Sequence, residues 1–187
     1  MRKLLYWVAI LGLAIALPAS AQTRPVDLAK SRLAFIYTVD QKITVEGRFP
    51  KFSAQVTFDE KQPEKGSVKL EIELAAIDTG NGDGDAEAKR PLWFDTAKFP
   101  KASFVSTAIR KTGDGKYEAA GKLTIKGKTR DVAAPFTITA AGGGLTAQGK
   151  LAIKRLFFDV GTGQWADVTQ IADDVEVRFT LVLGPAR

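Results

Sequence analysis

The residues able to do chemistry are few, and their spacing separates the readings. Ile77-Asp78-Thr79-Gly80 spells the tetrapeptide of an aspartic protease. That chemistry needs two carboxylates sharing one proton. The chain carries one copy, so only a homodimer could assemble the pair. The plainer reading is a strand end running into a glycine loop. Asn81-Gly82-Asp83-Gly84-Asp85 opens like an EF-hand calcium loop. Its sixth position is Ala86 where such a loop turns on Gly, and its twelfth is Leu92 where a bidentate Glu belongs. A solvated acidic loop is therefore expected, and no metal ligand is assigned.

Gly121-Lys122-Leu123-Thr124-Ile125-Lys126-Gly127-Lys128-Thr129 imitates a P-loop but puts five residues between its glycines instead of four. It also alternates like a strand. Lys122, Lys126, Lys128 and Arg130 then share a wet face opposite Leu123 and Ile125, or form a patch for anionic surfaces. The chain has no Cys and no His. That excludes disulfides, thiolate nucleophiles, Ser-His-Asp triads and HExxH zinc sites. No catalytic residue and no cofactor are assigned.

Arg155 stands apart. It follows Leu151 and Ile153 on one face of an alternating segment and precedes Phe157. If that face points inward, the guanidinium needs a carboxylate, a phosphate or a carbonyl as partner. If a bulge follows Ile153, the side chain turns outward instead.

The elements that must position these residues have a period of two. Val68, Leu70, Ile72 and Leu74 face one way and Lys69, Glu71 and Glu73 the other. The segments around Leu33-Phe35-Tyr37 and Val175-Val177-Phe179 repeat the pattern. Eight strands are predicted, near 32–39, 43–58 (long enough for two), 67–76, 102–110, 116–126, 130–140, 145–157 and 174–183. Turn signals such as Pro63-Glu64-Lys65-Gly66 and Gly142-Gly143-Gly144 separate them. Asp78–Pro100 breaks the alternation, and a short helical insertion is expected around 85–98. The fold class is all-β, an antiparallel sandwich or barrel. No linker or internal repeat divides residues 22–187.

Residues 1–21 read as a signal peptide. Arg2 and Lys3 precede the apolar run Leu4–Leu17, Pro18 breaks it, and Ala19-Ser20-Ala21 gives a small-x-small cleavage pattern. The run is shorter than the ~20 residues that span a bilayer. Export makes the expected location periplasmic and removes nucleic acid as a partner. The formal charge of +6 falls to +4 when Arg2 and Lys3 are lost.

The order of motifs resembles the YceI-like polyisoprenoid-binding proteins. The resemblance rests on Ser31-x-Leu33-x-Phe35, Val45-x-Gly47-x-Phe49-x-x-Phe52, Ile77-Asp78-Thr79-Gly80 and Trp93-Phe94-Asp95. It continues through Phe99-Pro100-x-Ala102-x-Phe104 and Gly121-x-Leu123-Thr124-Ile125-Lys126-Gly127-x-Thr129. It implies a lipocalin-like eight-stranded antiparallel barrel whose interior holds a long isoprenoid chain, a polyprenyl or an isoprenoid quinone. It also implies a quinone-using membrane partner such as a cytochrome b. The chain departs from the family at Lys154-Arg155, in the glycine-rich loop Asn81–Asp85 and at Gly161–Asp167.

The expected function is a periplasmic, non-catalytic lipid carrier; a small outer-membrane barrel is the alternative, and a homodimer stays open. Leu33, Phe35, Tyr37, Phe49, Leu123, Ile125, Leu151, Ile153 and Phe179 are the inward residues expected to hold the lipid. Its polar end is expected near Arg155 or the loop of Trp165. The leader carries its own prediction: N-terminal sequencing of periplasmically released protein should start at Gln22, and a chain that keeps Leu4–Leu17 would refute cleavage.

Overall fold

The structure, a computed structural model, describes residues 23–186. The expected leader lies outside the described residues. Ten strands form one antiparallel sheet, two more than expected: β1 (Thr23–Arg24), β2 (Arg32–Val39), β3 (Ile43–Arg48), β4 (Phe52–Thr57) and β5 (Ser67–Glu73), then β6 (Lys101–Gly113), β7 (Lys116–Ile125), β8 (Lys128–Ala141), β9 (Gly144–Lys154) and β10 (Asp174–Leu183). Their order is β1-β4-β5-β6-β7-β8-β9-β10-β2-β3. The two additional strands have simple origins. The predicted strand 43–58 splits at Phe49-Pro50-Lys51, where Pro50 has no N–H to give a ladder. β1 is two residues long and too short to show alternation.

The sheet curls into a half-barrel, and the chain itself connects its two sides. β3 and β4 lie at opposite ends of the β2–β10 order, yet three residues join them. The two halves of one extended segment thus pair with β2 and with β5. β1 covers the outer edge of β4, and Val26 bridges on to Leu183 at the end of β10. Arg48 bridges Asp78, which ties β3 to the segment crossing the open end.

The insertion differs from expectation. The helix is α1 (Gly82–Ala88), and residues 89–98 are turns rather than helix. Asn81 caps it by accepting from the Asp83 N–H at 2.9 Å, with Asp83 and Asp85 in the first turn. Pro91 follows soon after its end. The acidic run that imitates a calcium loop is therefore a helix start, and Asp85 accepts from the Thr79 N–H and hydroxyl. Lys126 also departs from its expected strand face. β7 ends at Ile125, and Lys126-Gly127 make a two-residue hairpin turn with both φ values positive.

The apolar faces converge inside the curl. Phe58, Tyr117 and Phe136 form an aromatic cluster at the closed end, with centroids 5.2–6.2 Å apart. The charges lie outside in ion pairs such as Lys122–Asp131 and Lys150–Glu176. A lipid-facing wall would need the reverse arrangement.

Two interior glycines keep the enclosed space open. Phe35 pairs across the ladder with Gly47, and Phe179 with Gly149. Each ring lies over bare backbone, so closely that a Cβ on the glycine would overlap it. The rings therefore flatten against the wall instead of projecting inward. Gly47→Ala should push Phe35 into the interior and cost about 1–3 kcal/mol, as overpacking does. Urea unfolding should show the loss, and the Gly47→Ala/Phe35→Leu double variant should recover most of it; no recovery would place the strain elsewhere.

Candidate functional site

Two adjacent compartments lie within the curled sheet. The outer one has a volume of about 610 Å³, within the range of roughly 300–1,000 Å³ usual for small-molecule sites. The inner one is about 110 Å³. Ile125, Ile153 and Val177 border both, so they form a waist.

All of the expected site residues line this space, but in two groups. Phe35, Tyr37, Phe49, Arg155 and Trp165 line the outer compartment, and Leu33, Leu123, Leu151 and Phe179 the inner one. Ile125 and Ile153 stand at the waist. Strand alternation places the aliphatic members, because residues two apart on a half-buried strand share a face. The inner compartment is lined by Leu, Ile, Val, Phe and Ala alone. The outer one adds Thr79, Asp83, Glu87 and Arg90 from the α1 segment. Those polar residues were not expected at the site, nor were Trp93 and Phe94. Their neighbourhood breaks the alternation, so nothing local shows which way they face.

Arg155 is the least ordinary member. Strand β9 ends at Lys154, and Arg155 opens a 3-10 turn through Phe158. Its side chain is 3% exposed. The inward reading is therefore right, but the turn rather than the strand face brings it in. Its partners are carbonyls of its own chain. Nε donates to Ala172 O at 3.0 Å. Nη1 donates to Val160 O at 3.0 Å and Gly161 O at 2.6 Å. Nη2 donates to Trp165 O and Ile171 O, both at 2.7 Å. A guanidinium has five N–H groups, so none is left over. The Trp93 ring lies 5.7 Å from the guanidinium carbon and adds a cation–π contact. Burial lowers the arginine pKa from its usual value, and nearby Asp173 opposes that shift. Arg155 is thus a knot for residues 160–172, the loop that forms one lip of the mouth.

The other lip is tied by side chains. Glu87 on α1 accepts from Trp165 Nε1 at 3.0 Å and pairs with Arg90 at 3.1 Å. Trp93 and Trp165 pack with centroids 5.7 Å apart. At the β7–β8 turn, Lys126 Nζ donates to Pro91 O and Asp159 O, each at 2.7 Å. Desolvation lowers its pKa, while Asp95 and Asp159 oppose the shift. Lys128 pairs with Asp159 at 3.1 Å. Asp78, the acid of the protease-like tetrapeptide, accepts from the Gly80 N–H and from the Arg48 guanidinium. Those contacts lower its pKa, with the Gly80 N–H the larger cause. That acid is held as a bridging carboxylate, the opposite of one sharing a proton.

Residues 25–183 match the YceI-like domain. The chain belongs to the YceI-like domain family. A UPF0312 protein of Photorhabdus laumondii is 30% identical over 138 residues, covering 70% of this chain and 71% of that protein. The crystal structure of Burkholderia cenocepacia BcnA superposes with a TM-score of 0.82 at 42% identity, covering 84% of this chain and 99% of that one. A polyisoprenoid binding domain from Saccharophagus degradans shares the fold, with a TM-score of 0.70 at 15% identity over 89% of this chain and 99% of that one. This YceI-like chain keeps the family fold.

Replacing Arg155 should unfold the lip. Arg155→Met leaves the five carbonyls without their donor, so we expect a loss of about 3–5 kcal/mol, the range for breaking a buried charged group from its partners. Arg155→Lys should fall between, because an ammonium has three N–H groups. Chemical denaturation of both variants checks this, and a neutral Arg155→Met would remove the knot from the fold.

Proposed function

We propose that the chain is a periplasmic, non-catalytic carrier that holds a long isoprenoid lipid, tail in the inner compartment and polar end in the outer one. The observation that carries this reading is the division of the cavity. A wholly apolar inner chamber borders, at the apolar residues Ile125, Ile153 and Val177, a chamber with a polar rim. Such a gradient fits a molecule that is hydrocarbon at one end and polar at the other. The YceI-like membership supports it, as does the neighbour from Saccharophagus degradans described as polyisoprenoid-binding. Affinity would come from apolar area removed from water, at roughly 25 cal/mol per Å².

The signal-like segment supports export, and a quinone-using membrane protein such as a cytochrome b is the exchange partner that the family resemblance suggests. The outer-membrane barrel is the weaker reading, because ion pairs cover the outer wall where lipid would lie.

Protein purified from the periplasm should release an isoprenoid on organic extraction, read by mass spectrometry. Ile153→Trp narrows the waist. It should reduce retention of a long prenyl chain at least tenfold while a two-isoprene chain binds as before. Folded wild-type protein that neither carries nor takes up any prenyl lipid would sink the carrier reading.

A further inference from the structure

An isoprenoid can end in a phosphate, an alcohol or a ring carbonyl, and the outer compartment distinguishes among these. A phosphate needs free N–H donors and a cation without a carboxylate partner. Four charged residues line the compartment: Asp83, Glu87, Arg90 and Arg155. The five N–H groups of Arg155 all point at carbonyls of residues 160–172. Arg90 pairs with Glu87. Asp83 has no ion-pair partner among the described residues and stands on the first turn of α1 at the rim. Lys126, the nearby lysine, is occupied by two backbone carbonyls. Of the four charged side chains that line the compartment, Asp83 alone has neither an ion-pair nor a side-chain hydrogen-bond partner among the described residues.

Two polar groups in the same compartment have no hydrogen-bond partner among the described residues: Trp93 Nε1, which is fully buried, and the Tyr37 hydroxyl. Tyr37 lies on β2, two residues inward of the Val39–Ile171 bridge at the mouth. Its ring stacks on Phe35 at 6.1 Å and lines the cavity. Among the described residues nothing donates to or accepts from its hydroxyl, and desolvation alone raises its pKa. A neutral phenol donates one hydrogen bond and accepts others.

Resting on the carrier reading above, we propose that the cavity selects isoprenoids with an uncharged oxygen at the head over phosphorylated ones, and that the Tyr37 hydroxyl is the group that contacts that oxygen. The selectivity comes from saturation. Arg155 has no N–H left to donate to a phosphate, and Asp83 repels one. A hydroxyl or carbonyl oxygen needs a single donor, and Tyr37 supplies it.

Three matched C20 probes separate the terms: geranylgeraniol, geranylgeranyl phosphate and the hydrocarbon phytane. Binding to the full mature chain is read from the fluorescence of Trp93 and Trp165. Wild type should bind the alcohol at least tenfold more tightly than the phosphate. Tyr37→Phe should weaken the alcohol about threefold to tenfold, the range for one neutral hydrogen bond, and leave phytane unchanged. Asp83→Asn should narrow the alcohol-to-phosphate ratio. Phosphate binding equal to or tighter than the alcohol overturns the inference, whatever the variants do. So does a Tyr37→Phe loss shared equally by phytane, or no loss at all. Failure of all three probes sinks the carrier reading along with it, whereas binding of all three without discrimination sinks the head-group inference alone.

Discussion

A curled sheet around a cavity has to dispose of two edges of unpaired N–H and C=O groups. Here β3 is one edge, and at the other the two-residue β1 covers β4, the strand that follows β3 in the chain. The segment 43–57 pairs with β2 through its first half and with β5 through its second. Pro50 is where it changes allegiance, since that residue has no N–H to lose. β1 then covers the outer side of β4, and Val26 reaches β10. Everything else follows from that closure. It fixes which faces converge, and so which side chains meet the enclosed space.

The mouth obeys a different rule. Its lips are irregular backbone, and irregular backbone near a protein interior leaves carbonyls without partners. Arg155 satisfies five of them at once. Lys126 satisfies two more on the facing loops. A cation serves here because each of its N–H groups is a charge-assisted donor, and several carbonyl dipoles can share its charge. The cost is that these cations are then spent on the protein itself. In the proposed reading, ligand recognition passes to less conspicuous groups, an aromatic hydroxyl and an apolar waist.

The proposed carrier role requires empty volume, and side chains tend to fill volume. This fold resists that tendency with glycines set opposite phenylalanines. Gly47 and Gly149 let Phe35 and Phe179 lie flat on the backbone. The aromatic cluster of Phe58, Tyr117 and Phe136 closes the far end. What stays open is a narrow apolar chamber behind a larger one with a polar rim, a shape suited to a flexible chain with one wet end.

The sequence by itself determined the strands and the apolar wall. Period-two alternation is a local property, so Leu33, Leu123, Leu151 and Phe179 could be assigned inward without knowing their neighbours. It also showed that residues 78–100 leave the pattern, although the helix begins at Gly82 rather than near 85 because Asn81 caps it. The tertiary structure decided whatever depends on contacts between distant segments. Alternation stops at Lys154, so nothing within β9 could say that a 3-10 turn carries Arg155 inward to carbonyls up to 17 residues away. Glu87 reaches Trp165 across 78 residues, and the α1 side chains join the cavity wall through that kind of contact. Tyr37 was legible as an inward ring, but that its hydroxyl is left free can be known only once every donor and acceptor around the mouth has been matched.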